Sequence, residues 1–191
     1  EWYTQFNDLK YLLQNSDIVT LHVPLNDTTR GMADTRFFAE MKPGAFFINT
    51  AQGDIVVEDD LIEAVTKLGP VAIDTWSHEP NVNMRLMNSV DIATPHISGY
   101  SLQGKQIGTS MAVRATARFL GISSLFDFSP VTDTIEDQAV MLNIIDKTQG
   151  QIAAMIQYNY PIFTDDFLFR TNPPKFEQLR ANYQYRREFH I

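Results

Sequence analysis

Residues 42–74 read KPGAFFINTAQGDIVVEDDLIEAVTKLGPVAID. Lys42-Pro43-Gly44 is a turn, and it opens onto an apolar run, Ala45-Phe46-Phe47-Ile48-Asn49. A loop of small residues follows from Thr50 to Gly53. Next comes a helical pattern over 58–68, with Leu61, Ile62, Val65 and Leu68 on one face. A second short apolar run, Val71-Ala72-Ile73-Asp74, ends the stretch. Strand, ten-residue helix and strand in this spacing make a βαβ unit, and such units build a parallel sheet. The strands are nearly all apolar, as expected where helices cover both faces.

The same alternation extends in both directions. Upstream, Ile18 to Val23 is a β-branched run stopped by Pro24, and a helix is expected from Asp34 with Phe37, Phe38 and Met41 inward. Another helical pattern runs from Trp2 to Leu13. Downstream, Val90 to Ala93 is a fourth strand. Residues 101–120 predict a longer helix whose Ile107, Met111, Ala115 and Phe119 form a packing stripe, with Gly104 and Gly108 allowing close helix contact. After a loop over 121–134 the pattern changes. A strand is expected over Ala139 to Ile145, a helix over Gln149 to Tyr158, an irregular aromatic stretch over Tyr160 to Pro174, and a helix over Lys175 to Tyr185 with Phe176, Leu179 and Tyr183 inward. The expected organisation is an α/β part over 1–103, a connecting helix over 104–122 and a small α+β unit over 123–191.

Composition narrows the function classes. The 191 residues are 44% hydrophobic and 20% charged, which allows a core and argues against disorder. With no cysteine, disulfides and thiol chemistry are excluded, and a reducing, cytoplasmic setting fits. A net charge of −8 disfavours nucleic-acid binding. No apolar run approaches the ~18 residues of a membrane span. The four histidines show no H-E-x-x-H spacing, so no metal site is expected.

In parallel sheets, ligands bind beyond the carboxyl ends of the strands. The polar residues at those ends are His22, Asn49 to Gly53, Asp74 and His96, and they should share one edge of the sheet. Small residues and a glycine at 50–53 let backbone approach a flat ligand, but taken alone they read first as an ordinary strand-to-helix turn. His96, between Pro95 and Gly99, is a plausible acid/base because imidazole titrates near neutrality. It is as readily a structural loop histidine. Glu79 follows the neighbouring strand, close enough to orient His96. His78 and His190 read as surface residues, Trp76 as packing, and Arg186-Arg187 as a solvated helix end.

Taken in order, these segments resemble the D-2-hydroxyacid dehydrogenase family. The resemblance rests on Ser16-Asp17-Ile18-Val19-Thr20-Leu21-His22-Val23-Pro24-Leu25, on Met41 to Ala45 leading into Asn49-Thr50-Ala51, on Asp74 with Glu79-Pro80, and on Thr94-Pro95-His96-Ile97. Gly99 to Lys105, Tyr160 to Arg170 and Phe176 to Phe189 resemble a narrower branch that acts on a phosphorylated 2-hydroxy acid and carries a C-terminal dimerisation domain. The implied fold is a partial Rossmann-like doubly wound parallel sheet over 1–103, followed by a small α+β dimerisation domain over 123–191. The implied cofactor is NAD and the implied assembly a homodimer. By resemblance, His96 takes the substrate's hydroxyl proton and Glu79 holds His96. Asp74 binds the nicotinamide side, and Val23, Thr50, Ala51, Gln52 and Gly99 line the cofactor. Tyr100 touches substrate.

One departure stands out. The family has arginine before the glycine of the 49–53 loop, and here that position is Gln52. An amide has neither the charge nor the planar fork that grips a substrate carboxylate. Weak or absent turnover is expected, with cofactor binding less affected. The chain opens on Glu1, and it is expected to be the C-terminal part of a longer protein. The glycine-rich phosphate loop and the ribose-binding acid would precede residue 1, and NAD binding by these residues alone is expected to be poor. Competing readings are another D-2-hydroxyacid dehydrogenase, or a non-catalytic dinucleotide-sensing or interaction remnant.

Overall fold

The computed structural model describes residues 7–130 and 140–190. The chain forms two compact units, the first made of Glu1–His96 with Phe163–Ala181 and the second of Ile97–Ile162 with Asn182–Ile191. Residues 163–181, expected with the C-terminal part, group with the sheet. The contacts of Asp166, Phe169 and Arg170 explain this.

The first unit is a four-stranded parallel sheet in the order β1 (Ile18–Leu21), β2 (Phe46–Asn49), β3 (Val71–Ile73), β4 (Ile92–Ala93). Its described helices are α1 (Leu9–Asn15), α2 (Thr35–Glu40), α3 (Glu58–Ala64) and α4 (Met84–Ser89), with α7 (Ile162–Thr171) and α8 (Phe176–Ala181) from the late segment. Each of α2, α3 and α4 is a crossover between parallel neighbours. Local chemistry sets the boundaries. Asp8 accepts from Tyr11 N and starts α1 at Leu9, later than the Trp2 start read from sequence; residues 2–6 of that expectation lie outside the described residues. Asp34 caps α2 by accepting from the amides of Arg36 and Phe37. The three acids Glu58, Asp59 and Asp60 open α3, favourable at the positive end of a helix. That helix stops at Ala64 and does not reach 68. Lys67 O and Gly69 N are tied instead to Gly44 and Ala45 at the entry to β2, and Lys67 Nζ caps the last carbonyls of α2 at Phe38 and Ala39. Helix α4, capped by Asn83, was not expected from the sequence.

The core lies between sheet and helices. Phe37, Phe38 and Phe47 pack edge to face with ring centroids 5.2–6.1 Å apart. Leu61, Ile73, Leu86 and Met87 are fully buried around them, and each contributes roughly 1.5–3 kcal/mol by leaving water.

Helix α7 corrects the irregular reading of 160–174. Asp166 accepts the Ala93 amide of β4 at 2.6 Å, where a further strand would otherwise pair. Arg170 bonds Asp166 one turn away and donates to the carbonyls of Met87 and Val90. Phe169 is buried against Trp76 and Phe176. Ala93, Met87, Val90 and Trp76, 70 or more residues distant, hold the helix, which is why its local composition was a poor guide.

In the second unit, α5 (Leu102–Leu120) is capped by Ser101 and ended by Gly121 in the left-handed conformation, φ 70°. The four-residue stripe expected to pack is exposed: Met111 and Phe119 are 65% and 89% accessible, and the buried face carries Gln103, Ser110 and Ala117. No atom lies within 4 Å of a Cβ built at Gly108, so the close helix contact expected there is absent among the described residues. Helix α6 (Gln149–Asn159) starts with a Thr148–Gln151 capping box. β5 (Val140–Met141) pairs in parallel with β6 (Phe189–His190), a shorter strand than the expected 139–145, of which Ala139 lies outside the described residues. Helix α8 ends at Ala181, and Tyr183 falls outside it.

Candidate functional site

The register of the parallel strands sets Leu21, Asn49, Ile73 and Ala93 in one row. The residues that follow them therefore emerge along one edge of the sheet. Asn49 is fully buried and organises the next loop. Its Nδ2 donates to the Gln52 carbonyl at 3.1 Å, and its Oδ1 accepts the Ala51 amide at 3.1 Å. Thr50 and Ala51 are half-buried, and the Gln52 side chain is exposed.

Asp74 is buried and held on several sides. Its amide donates to Asn49 O at 3.0 Å, and its Oδ1 accepts from Thr94 Oγ1 at 2.7 Å. Its carbonyl accepts the His96 amide at 2.7 Å. The carboxylate therefore links the ends of β3 and β4.

Glu79 and His96 meet as expected. His96 Nδ1 lies 2.8 Å from Glu79 Oε2 and 3.1 Å from Oε1. An ionised carboxylate can only accept, so Nδ1 carries the proton and Nε2 is left as the basic nitrogen. Both side chains are partly accessible, at 28% and 22%. Glu79 also accepts the Trp76 amide at 2.9 Å, and the Trp76 indole donates to Thr94 O at 2.9 Å. Trp76 thus packs, as read from sequence, and braces the pair as well.

Gly53, the glycine of the 49–53 loop, lies against backbone. A Cβ at Gly53 would lie 2.0 Å from the Trp76 carbonyl carbon and 2.4 Å from Ser77 N. The backbone it approaches is the chain's own.

Four further residues named from the sequence make other contacts. Val23 packs on the core and His22 bonds Thr20 at 3.0 Å. Gly99 and Tyr100 belong to the second unit. Gly99 has open space around it, and Tyr100 packs against Tyr183 and Tyr185 with Lys105 4.5 Å over its ring. There Arg186, read as solvated, instead donates to the carbonyls of Ile97 and Ser98. Sequence reasoning missed Thr94, whose position two residues before His96 was a usable signal. It also missed Arg180, which donates to the His96 carbonyl at 3.2 Å and has no local signal.

A surface cleft of about 560 Å³ lies elsewhere in the first unit, lined by Arg30, Asp54, Glu58, Asp59 and His78 among others. It contains none of the residues expected to act. Among the described residues, no group of three His, Asp or Glu side chains could hold a metal, and no helix is long and apolar enough to cross a membrane.

Comparison with known proteins follows the same lines. The D-isomer specific 2-hydroxyacid dehydrogenase, NAD binding domain, matches residues 1–98. Erythronate-4-phosphate dehydrogenase of Bacteroides fragilis is 35% identical over 97% of this chain and 52% of its own length. The protein of that name in Bacteroides thetaiotaomicron is 33% identical over 96% and 52%. The chain spans about half the length of the curated relatives it matches. Among solved structures, D-lactate dehydrogenase from Aquifex aeolicus, in complex with NAD and lactic acid, is 25% identical with a TM-score of 0.53, over 67% of this chain and 45% of that one. With more than half of its residues matched and a parallel sheet to match, the chain belongs to the D-isomer specific 2-hydroxyacid dehydrogenase family, through its NAD binding domain.

Proposed function

We propose that this chain is part of an NAD-dependent dehydrogenase that oxidises 4-phospho-D-erythronate to 3-hydroxy-2-oxo-4-phosphobutanoate, a step of cytoplasmic pyridoxal phosphate synthesis. The observation that carries the reading is the His96–Glu79 pair at the strand ends, 2.8 Å apart and partly open to solvent. The names of the 33–35% identical relatives support the substrate.

Asp74, Val23, Gly99 and the backbone of Thr50, Ala51 and Gln52 would hold the cofactor. The donor set suits a nicotinamide: a buried, fixed carboxylate and a loop whose backbone Asn49 presents. Bound NAD supplies the hydride acceptor. His96 Nε2 takes the hydroxyl proton as the hydride leaves C2, so one proton and one hydride account for the two-electron oxidation. Glu79 fixes the tautomer and stabilises the imidazolium that forms. Tyr100 would contact the substrate. The exposed α5 stripe supports a homodimer.

Gln52 favours a second reading, a dinucleotide-binding protein that has lost turnover. It stands where a guanidinium would neutralise the substrate carboxylate, a loss on the order of 10²-fold in rate. Gln52→Arg separates the two. With NAD binding followed by fluorescence in the full-length protein, NADH formation from 4-phospho-D-erythronate should rise about 100-fold over the same protein with Gln52. A variant that binds NAD and phosphoerythronate without any gain would overturn the catalytic reading.

A further inference from the structure

His96 has φ 55°, a left-handed conformation uncommon outside glycine, although histidine, like asparagine and aspartate, adopts it more often than most residues. Something must hold it there. Its amide is tied to Asp74 O and its ring to Glu79, both from the β3 end. The third handle, its carbonyl, is taken by Arg180 Nε from α8 at 3.2 Å. Arg180 is itself placed by the sheet's own packing. Its guanidinium lies 5.6 Å from the ring of Phe176, which is buried against Phe169, and Phe169 against Trp76.

We infer that Arg180 is a positioning residue for His96: it locks the left-handed backbone that turns the imidazole towards Glu79 and leaves Nε2 free. A carbonyl bonded to a fixed protein donor is held in place, where one bonded only to water is free to move. Without it, His96 can relax to ordinary backbone angles, and its ring swings away from Glu79. The charge itself is not required, only a donor at the Nε position. The catalytic consequence rests on the reading of His96 as the proton acceptor.

Two substitutions separate donor from stem. Gln places Nε2 where Arg has Nε, and Met keeps the length with no donor. In ¹⁵N-labelled protein, the His96 Nδ1–H hydrogen-bonded to Glu79 is followed by NMR, with the Trp76 indole N–H as internal reference. Arg180→Met should speed Nδ1–H exchange about tenfold, the loss of one carbonyl hydrogen bond, while the indole is unchanged. Arg180→Gln should stay near the unmodified protein. Equal exchange in all three overturns the inference. So does a parallel rise at Trp76, which would mark general loosening. Should Arg180→Met not fold, the unmodified protein decides through the trans-hydrogen-bond coupling between Arg180 Nε and the His96 carbonyl carbon. Its presence supports the contact and its absence overturns it. In the Gln52→Arg background, Arg180→Met should lower kcat about tenfold at unchanged KM. If Gln52→Arg shows no turnover, the catalytic reading fails, and the exchange data still decide the role of Arg180.

Discussion

An imidazole facing a carboxylate has only one ring nitrogen left for chemistry, and the contact between His96 Nδ1 and Glu79 makes that choice. The neighbouring contacts keep the choice from drifting. Trp76 N holds Glu79, Thr94 holds Asp74, and Asp74 O holds the His96 amide. Single carboxylates matter away from the site too. Glu40, at the end of α2, accepts from Lys10 Nζ at 3.0 Å and Gln14 Nε2 at 2.5 Å, both on α1. The Lys10 hydrogen bond first, then that of Gln14, holds its carboxyl below the usual glutamate range. A carboxyl whose pKa is depressed on folding stabilises the fold fully above the unfolded value and loses that contribution as pH falls through the folded one. The melting temperatures of the unmodified chain and Glu40→Gln should therefore differ at neutral pH and converge in acid. A gap that stays constant from pH 7 to pH 3 would count against this ion pair as a stabilising contact.

At the scale of elements, the β2 loop and the chain after β3 touch backbone to backbone at Gly53. Its missing Cβ leaves the 2.0 Å that Trp76 occupies. Backbone cannot give way as a flexible side chain can. Gly53→Ala should therefore cost about 3 kcal/mol or more and lower Tm by roughly 6–12 °C. Gly108→Ala, in open space within α5, should instead raise stability by about 0.4–1 kcal/mol. Similar shifts in both would refute the steric account. The two glycines look alike in sequence, and this marks where legibility ends. β1 to β4 were readable because buried parallel strands leave short apolar runs. Helix α2 was readable because Asp34 caps an apolar face. Helix α4 is six residues long, too short for a period to show. Helix α7 depends on Asp166 reaching Ala93 and Arg170 reaching Val90, partners that no local pattern records. The site divides in the same way. His96, Glu79 and Asp74 follow strand ends, and topology alone brings them together. Arg180 lies 84 residues from the carbonyl it holds.

At the scale of the molecule, about half the length of its relatives is represented, and α5 is the element that most needs company. Ile107, Met111 and Phe119 recur along one face, and Met111 and Phe119 are 65% and 89% exposed. Residues four apart on a helix are neighbours, so this is a continuous apolar stripe and not scattered surface hydrophobes. Covering each side chain would recover roughly 1.5–3 kcal/mol, enough over several residues on two copies to drive association. A second copy of the chain offers the same stripe, and a two-fold contact lets each stripe cover the other. The expected outcome is a dimer in sedimentation velocity for the unmodified protein, and monomers for Met111→Lys and Phe119→Asp. Far-ultraviolet circular dichroism should stay the same in all three, because both positions face away from the buried side of α5 at Gln103, Ser110 and Ala117. A dimer that survives both substitutions would move the interface elsewhere, and an unmodified chain that sediments as a monomer would reject self-association through this helix.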